Sequence, residues 1–238
     1  MHHYQSFTED FIIGTIVSKV TNLSKDVSYA YDMIFNTLSD EYPYLVKCNN
    51  FIPDIIEVYD GMTNYERFNI GRRKAFENAK YSGKPSACGL GAIDEHLTIH
   101  YLISKYQPIE LENKRQVAAY EYPSKYGSPL FSRATVVNDD LYISGTASII
   151  GSDTVHVGDV VAQFKETVNN IKSLIGNRGL DDFYFVTYVK RDSDVDLITS
   201  ISPFISEYVV CDICRDDLLV EVEATSKNGI KLPTIKCR

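Results

Sequence analysis

Apolar positions along the chain follow two periods. Residues 11–20 (FIIGTIVSKV) are β-branched and apolar, which predicts a strand. Over residues 24–39, Val27, Ala30, Tyr31, Ile34, Phe35 and Leu38 recur at helical spacing and predict a helix with one apolar face. Residues 44–49 return as a strand. Residues 64–81 predict a second helix, with Arg72, Arg73, Lys74 and Lys80 in its later half, as the helix dipole favours. Residues 80–95, rich in Gly, Ser and Ala, read as a loop, and residues 97–104 (LTIHYLIS) as a strand.

The order then recurs. Residues 116–122 and 133–137 predict strands, and residues 141–150 (LYISGTASII) a strong one. A long helix follows over residues 157–175, with Val160, Val161, Phe164, Val168, Ile171 and Leu174 on one stripe. Residues 183–190 predict a strand, residues 194–201 a short helix capped by Ser193, and residues 208–214 and 218–224 the closing strands. Each half carries a Gly-Thr step in a strand (Gly14-Thr15, Gly145-Thr146), followed by helix, strand, helix and strand. This predicts an α+β fold of two copies of one unit, each a sheet with its helices on one face, over residues 1–110 and 111–238. The first copy shows no counterpart to the strands preceding Gly145, so it is expected to be incomplete at its N-terminal edge.

Composition narrows the function classes. Apolar residues make up 44% and charged residues 24% of 238, which excludes a mostly disordered chain. No window approaches a membrane-spanning apolar run. The first residues show no basic region leading into an apolar stretch, so no signal peptide is read and a cytoplasmic location is expected. A net charge of −8 makes a general nucleic-acid binder unexpected. The five cysteines (48, 88, 211, 214 and 237) are an odd, irregular set, which suits reduced thiols. Cys211 and Cys214 form a Cys-x-x-Cys, but no partner pair completes a zinc site, so no metal is expected.

The most informative run is Leu218-Leu219-Val220-Glu221-Val222-Glu223-Ala224. Its two carboxylates lie two residues apart on an apolar strand, hence on one face. Two readings stand: an edge strand with a solvated charged face, or a partly buried carboxylate in a cleft, with the raised pKa that a general acid needs. Arg133, opening an apolar strand, is either a surface residue or a clamp on a carboxylate. Gly145, in mid-strand, suits close approach of a ligand or another backbone rather than a phosphate loop. His96 and His100 share one face of their strand and suit packing or surface.

Several runs, in order, resemble the chorismatase family. They include residues 114–123 (KRQVAAYEYP), Tyr126-Gly127, Phe131-Ser132-Arg133-Ala134, and residues 144–151 (SGTASIIG). His156-Val157-Gly158-Asp159-Val160, Gln163 with Glu166-Thr167, and residues 211–223 continue the pattern. So do residues 50–55 and 65–72 in the first half. The resemblance implies a pair of units similar to the RidA (YjgF) fold, which favours trimers, so self-association is expected. It also implies cleavage of the enolpyruvyl ether of chorismate, without cofactor. The active site would lie in the second unit, residues 111–238, with Glu221 as the catalytic acid. Tyr122 and Arg133 would hold the substrate and Ala147 would line its ring. Lys190 or Arg191 would take the place of a second arginine. Cys214 matches a cysteine of the branch that forms 3-hydroxybenzoate with pyruvate. The family pattern also includes a further stretch ahead of the first unit.

Three alternatives remain at this point. One is hydrolysis of chorismate to a dihydroxycyclohexadiene carboxylate. A second is an imine deaminase on the same fold, against which residues 206–211 offer no substrate-clamping arginine. The third is a non-catalytic binder of a small aromatic acid.

Overall fold

The computed structural model describes residues 1–123, 129–235 and 237; Tyr126 and Gly127 of the family pattern lie outside the described residues. The first half runs β1 (His2–Phe7), β2 (Phe11–Lys19), α1 (Leu23–Phe35), β3 (Tyr44–Pro53), a small hairpin of β4 (Val58–Tyr59) and β5 (Met62–Thr63), α2 (Asn64–Ala79), β6 (Ser86–Ala92) and β7 (His96–Ser104). The second half runs β8 (Ile109–Leu111), β9 (Ala134–Val137), β10 (Asp140–Ala147), a hairpin of β11 (Ile149–Ile150) and β12 (Asp153–Thr154), α3 (Val160–Ile175), β13 (Phe183–Val189), α4 (Val195–Ile201), β14 (Ser206–Val210) and β15 (Val220–Ser226).

The sheet orders carry the duplication. The first is β1-β2-β7-β3-β6, and the second, read from its far edge, is β8-β9-β10-β15-β13-β14. Position by position these coincide, with β8 as the one extra strand. The single parallel pair of each sheet also corresponds, β3 with β6 and β13 with β14. The expected α+β duplication is therefore present. The first sheet has two strands ahead of its first helix where the second has three.

Side-chain alternation stacks these sheets. On β15, Val220, Val222 and Ala224 pack towards Phe164 and Ile171 of α3, while Glu221 and Glu223 face the other way. Val27, Tyr31 and Ile34 of α1 and Phe68 and Phe76 of α2 cover the outer face of the first sheet. The two inner faces meet at a seam where Phe51 and Leu90 pack with Val186, Tyr188 and Val209. Val46 and Leu102 pack there with Tyr142. Helices thus lie outside, sheets inside. Among the described residues no helix is long and apolar enough to cross a membrane.

Several elements differ from the sequence reading. Residues 80–95 contain β6, whose small residues let the second half approach: Ser86 bridges to Ser132 and Leu90 to Ile213. Tertiary pairing overrides the low strand propensity of SACGLGA. Residues 116–122 form no ladder strand; Gln116 bridges once to Gly151 and Ala119–Glu121 coil into a short 3-10 turn before Pro123. β1 went unread because it is an edge strand with five of six residues exposed, so no apolar alternation marks it. β14 ends at Val210, leaving Cys211 and Cys214 beyond it. Ser193 does not cap α4; Asp194 precedes the helix, and its carboxylate lies 3.2 Å from Arg191 instead. β15 is central, between β10 and β13, so the edge-strand reading of Glu221 and Glu223 fails.

Polar bonds lock the seam as well as apolar contact. Lys47 of β3 reaches across to Glu223 of β15 at 2.6 Å, both fully shielded from solvent. Asn49 donates to both Glu223 oxygens, at 3.0 and 3.1 Å, and the Tyr188 hydroxyl donates at 2.6 Å. Breaking a buried pair by removing one partner costs about 3–5 kcal/mol. Lys47→Met is expected to lower unfolding free energy by that order in urea denaturation, and the double variant Lys47→Met/Glu223→Gln by distinctly less.

Candidate active site between the two units

Glu221 sits in the middle of the second sheet, opposite Ala147 on β10 and Tyr188 on β13. Strand alternation turns its side chain into the seam, and Gly145 makes room for it. A Cβ at Gly145 would fall 1.9 Å from Glu221 Oε1. The glycine that the sequence marked for close approach thus admits a neighbouring carboxyl group. Glu221 is 3% exposed, and its Oε1 has no hydrogen-bond partner among the described residues.

The two carboxyl groups of β15 differ in protonation. Burial pushes Glu221 up to about 8, the charge on Glu223 adds to the rise, and Arg133 opposes it. Burial also disfavours charge on Glu223, but Lys47 and the hydrogen bonds from Lys47, Tyr188 and Cys88 outweigh it and hold that carboxyl below its ordinary value. Glu223 is therefore ionised and Glu221 neutral at pH 7. A neutral carboxylic acid that faces a cleft can give a proton away.

The cleft has a volume of about 400 Å³ and an apolar lining with few polar groups. Ala147 and Ile149 form part of its wall, with Arg133 and Tyr122 beside them. Arg133 Nη2 donates to the Val117 carbonyl at 2.8 Å and to the Tyr122 hydroxyl. Its guanidinium lies 5.2 Å from the Tyr122 ring centre and 5.4 Å from that of Phe131. Arg133 Nε is buried without a hydrogen-bond partner among the described residues. An unmet N–H donor and an unmet carboxyl oxygen in one pocket is the pattern that a polar ligand completes.

Cys214 lines the cleft, whereas Cys211 packs away from it with Cys88 and Cys237. Burial, reinforced by the adjacent Glu221, pushes the Cys214 thiol up to about 12, so it is neutral and no nucleophile. Lys190 and Arg191, expected as the second clamp, do not line the cleft. Lys190 bonds Asp216 at 2.6 Å and Arg191 pairs with Asp194. The second guanidinium in the cleft wall is Arg215, 5.1 Å from the Tyr122 ring centre and donating to the Ser152 carbonyl at 2.9 Å. The sequence run 211–223 contains Arg215, but its position after the strand could be read only from the chain turning at Ile213.

The first half also contributes, through Ile56, Thr63, Tyr65 and Glu66. Their sequence signal is the capping box of α2, in which Thr63 and Glu66 bond each other's backbone and so fix Tyr65 at the helix start. The cleft thus belongs to both halves rather than to the second alone. His100 takes no part in it: it is buried, bonded to Thr15 at 2.8 Å, and lowered by burial to about 4.

The fold and cleft define a duplicated α+β protein with a neutral acid at its seam. Residues 4–103 match the family model described as chorismatase FkbO/Hyg5-like, N-terminal. A 3-hydroxybenzoate synthase of Streptomyces hygroscopicus is 34% identical over 82% of this chain and 67% of its own length. A chorismatase of Streptomyces rapamycinicus is 30% identical over 91% of this chain and 74% of its own length. The crystal structure of a chorismatase superposes with a TM-score of 0.87 at 29% identity, covering 93% of this chain and 76% of the other. The chain belongs to the chorismatase family, and it is an enzyme.

The charge of Glu223 bears on the protonation of Glu221. Replacing Glu223 by Gln removes a repulsive charge and leaves Lys47 uncompensated, and both changes favour ionised Glu221. The alkaline limb of the kcat/KM profile is expected near pH 8 in the unaltered enzyme and at lower pH in Glu223→Gln. The measurement is initial rate against pH, with folding checked by circular dichroism at each point.

Proposed function

We propose that the protein converts chorismate to 3-hydroxybenzoate and pyruvate, with Glu221 as the acid. The observation that carries this reading is the neutral, buried Glu221 in a cleft that also holds two guanidinium groups. The 3-hydroxybenzoate synthase among its relatives supports the product. Chorismate is a dianion, and the chain's net charge of −8 repels it. Binding therefore depends on local cations in a low-dielectric cleft. Arg133 takes one carboxylate with Tyr122 beside it, and Arg215 the other. Ala147 offers a flat, small wall to the ring.

Glu221 gives its proton to the methylene carbon of the enol ether, which leaves positive charge at the ether carbon. The bond from the ether oxygen to the ring then breaks, and that oxygen becomes the keto group of pyruvate. The neighbouring ring hydroxyl supplies the electron pair to the ring carbon being vacated, and its proton returns to Glu221. Opening of the resulting three-membered ring and a proton shift yield the aromatic product. Substrate and products balance without water. Hydrolysis differs only in that water attacks, so excluding water decides the branch. The Cys214 thiol, apolar and neutral, suits that role. A unit over residues 1–110 and one over 111–238, self-association and a cytoplasmic location belong to the same reading.

Two variants test this. Glu221→Gln is expected to lose about 10²–10⁴-fold or more in kcat, measured as pyruvate release from chorismate; retention of the original rate would overturn the assignment. Cys214→Ala is expected to keep most turnover while some product shifts to the dihydroxycyclohexadiene carboxylate, resolved by chromatography. An unchanged product ratio would remove the thiol from the account.

A further inference from the structure

Behind Glu221 the cleft adjoins a second, smaller chamber of about 30 Å³. The two spaces share Tyr65, Phe131, Gly145, Cys214 and Glu221. That volume takes one or two water-sized groups and no ring. Its far side is formed by Asn50, Asn69 and Arg72 of the first half.

Arg72 is 2% exposed and Asn69 3%. The Arg72 guanidinium lies 5.2 Å from the Tyr31 ring centre and 5.3 Å from that of Phe76. Rings can satisfy the face of a guanidinium, but its N–H groups point outward in its plane and need acceptors. Nε and Nη2 of Arg72 are buried without hydrogen-bond partners among the described residues, and beside them the Asn69 amide faces the Tyr65 hydroxyl. Asn50 is committed elsewhere: it donates to the Cys88 carbonyl at 2.8 Å and accepts from the Tyr31 hydroxyl at 2.7 Å.

Nor do the described residues around it supply a counter-charge. Glu223 is engaged by Lys47. Burial keeps the nearby Tyr31 and Cys48 protonated, and Glu221 is neutral. A guanidinium held in this way demands an anion with in-plane acceptors.

We propose that this chamber is a binding site for one small anionic group, held by the Arg72 guanidinium and the Asn69 amide. Two sources supply that chemistry: a free halide ion, or one carboxylate of the molecule in the main cleft, which Arg72 would then hold in place of Arg215. The site would place a negative charge near Glu221 only when it is filled, so its occupant bears on the acid as well as on binding.

The test uses the full chain in gluconate buffer at fixed ionic strength, with two probes. Sodium bromide is titrated while Tm is followed, and the Kd of 3-hydroxybenzoate is measured by calorimetry, both for the unaltered protein and for Arg72→Met. A saturable rise in Tm with bromide that Arg72→Met abolishes identifies the halide source. A 3-hydroxybenzoate affinity weakened about tenfold or more in Arg72→Met, with no bromide response, identifies the carboxylate source. Arg72→Lys, which keeps the charge and loses the planar fork, serves if Arg72→Met does not fold. Anomalous scattering from bromide-soaked crystals of the unaltered protein then locates the ion directly. If bromide is absent from the chamber and the variant leaves both responses unchanged, the proposal is overturned. The bromide response does not depend on turnover, so failure of the proposed reaction would appear separately, as absent pyruvate release by the unaltered enzyme.

Discussion

The structure depends on a difference between two identical side chains. Glu221 and Glu223 leave the same face of β15, are buried to the same degree, and yet hold opposite protonation states. What separates them is what the first half brings across the seam. Lys47 and Asn49 of β3 reach Glu223, and Cys88 of β6 adds a weak donor at 3.3 Å. No such partner reaches Glu221 Oε1 among the described residues. Two like charges so close on one strand would repel strongly, and ionising one makes ionising the other harder. Burial is the first cause of the rise at Glu221, and the charge that the seam contact holds on Glu223 adds to it, so the contact that joins the halves also bears on the neighbouring acid.

The duplication shows how the site was fitted into the unit. Gly14 on β2 corresponds to Gly145 on β10. A Cβ at Gly14 would collide with the Tyr101 ring at 2.0 Å, as one at Gly145 would with Glu221. In the first half the gap opened by glycine is filled by a tyrosine whose hydroxyl meets His3 and Gln5 at 2.6 and 2.8 Å. In the second half the same kind of gap is filled by a carboxyl group whose Oε1 meets no hydrogen-bond partner among the described residues. One backbone device gives a closed packing contact in one copy and an open acid in the other. The Gly-Thr step that revealed the repeat in the sequence is thus the place where the two copies diverge in use.

The fold was legible where one face of an element is buried and the other is not. The stripes of α1 and α3 and the alternation of β2 each carry that asymmetry, and β7, buried on both faces, was legible from its apolar residues instead. Legibility failed where neither a period nor an apolar run marks the element. β1 is exposed on both faces and β6 is buried through small residues, so neither shows a period. The site was legible along single runs: Glu221, Arg133, Tyr122, Ala147 and Cys214 come together around one cleft. It was not legible across runs. Tyr65 enters from the far side of the seam, and no spacing within the second half can report it. The place expected for Lys190 or Arg191 is taken by Arg215 because β13 ends at Val189, and the chain then carries Lys190 to Asp216 at the rim rather than inward.

The position of Arg215 has a consequence for charge. A dianionic guest needs two cations at a separation that its own carboxylates set. Arg133 and Arg215 approach the Tyr122 ring to nearly equal distances, 5.2 and 5.1 Å. The face of one tyrosine ring thus lies within cation–π range of both guanidinium groups, which helps to hold two cations in one cleft wall. Arginine suits this better than lysine. Its planar group can stack on the ring and still present N–H donors edge-on to a carboxylate, which an ammonium group on a flexible stem cannot do. An acidic chain can in this way hold an acidic guest, because the attraction is confined to a shielded cleft where each charge acts at short range and the surface charge is screened by salt.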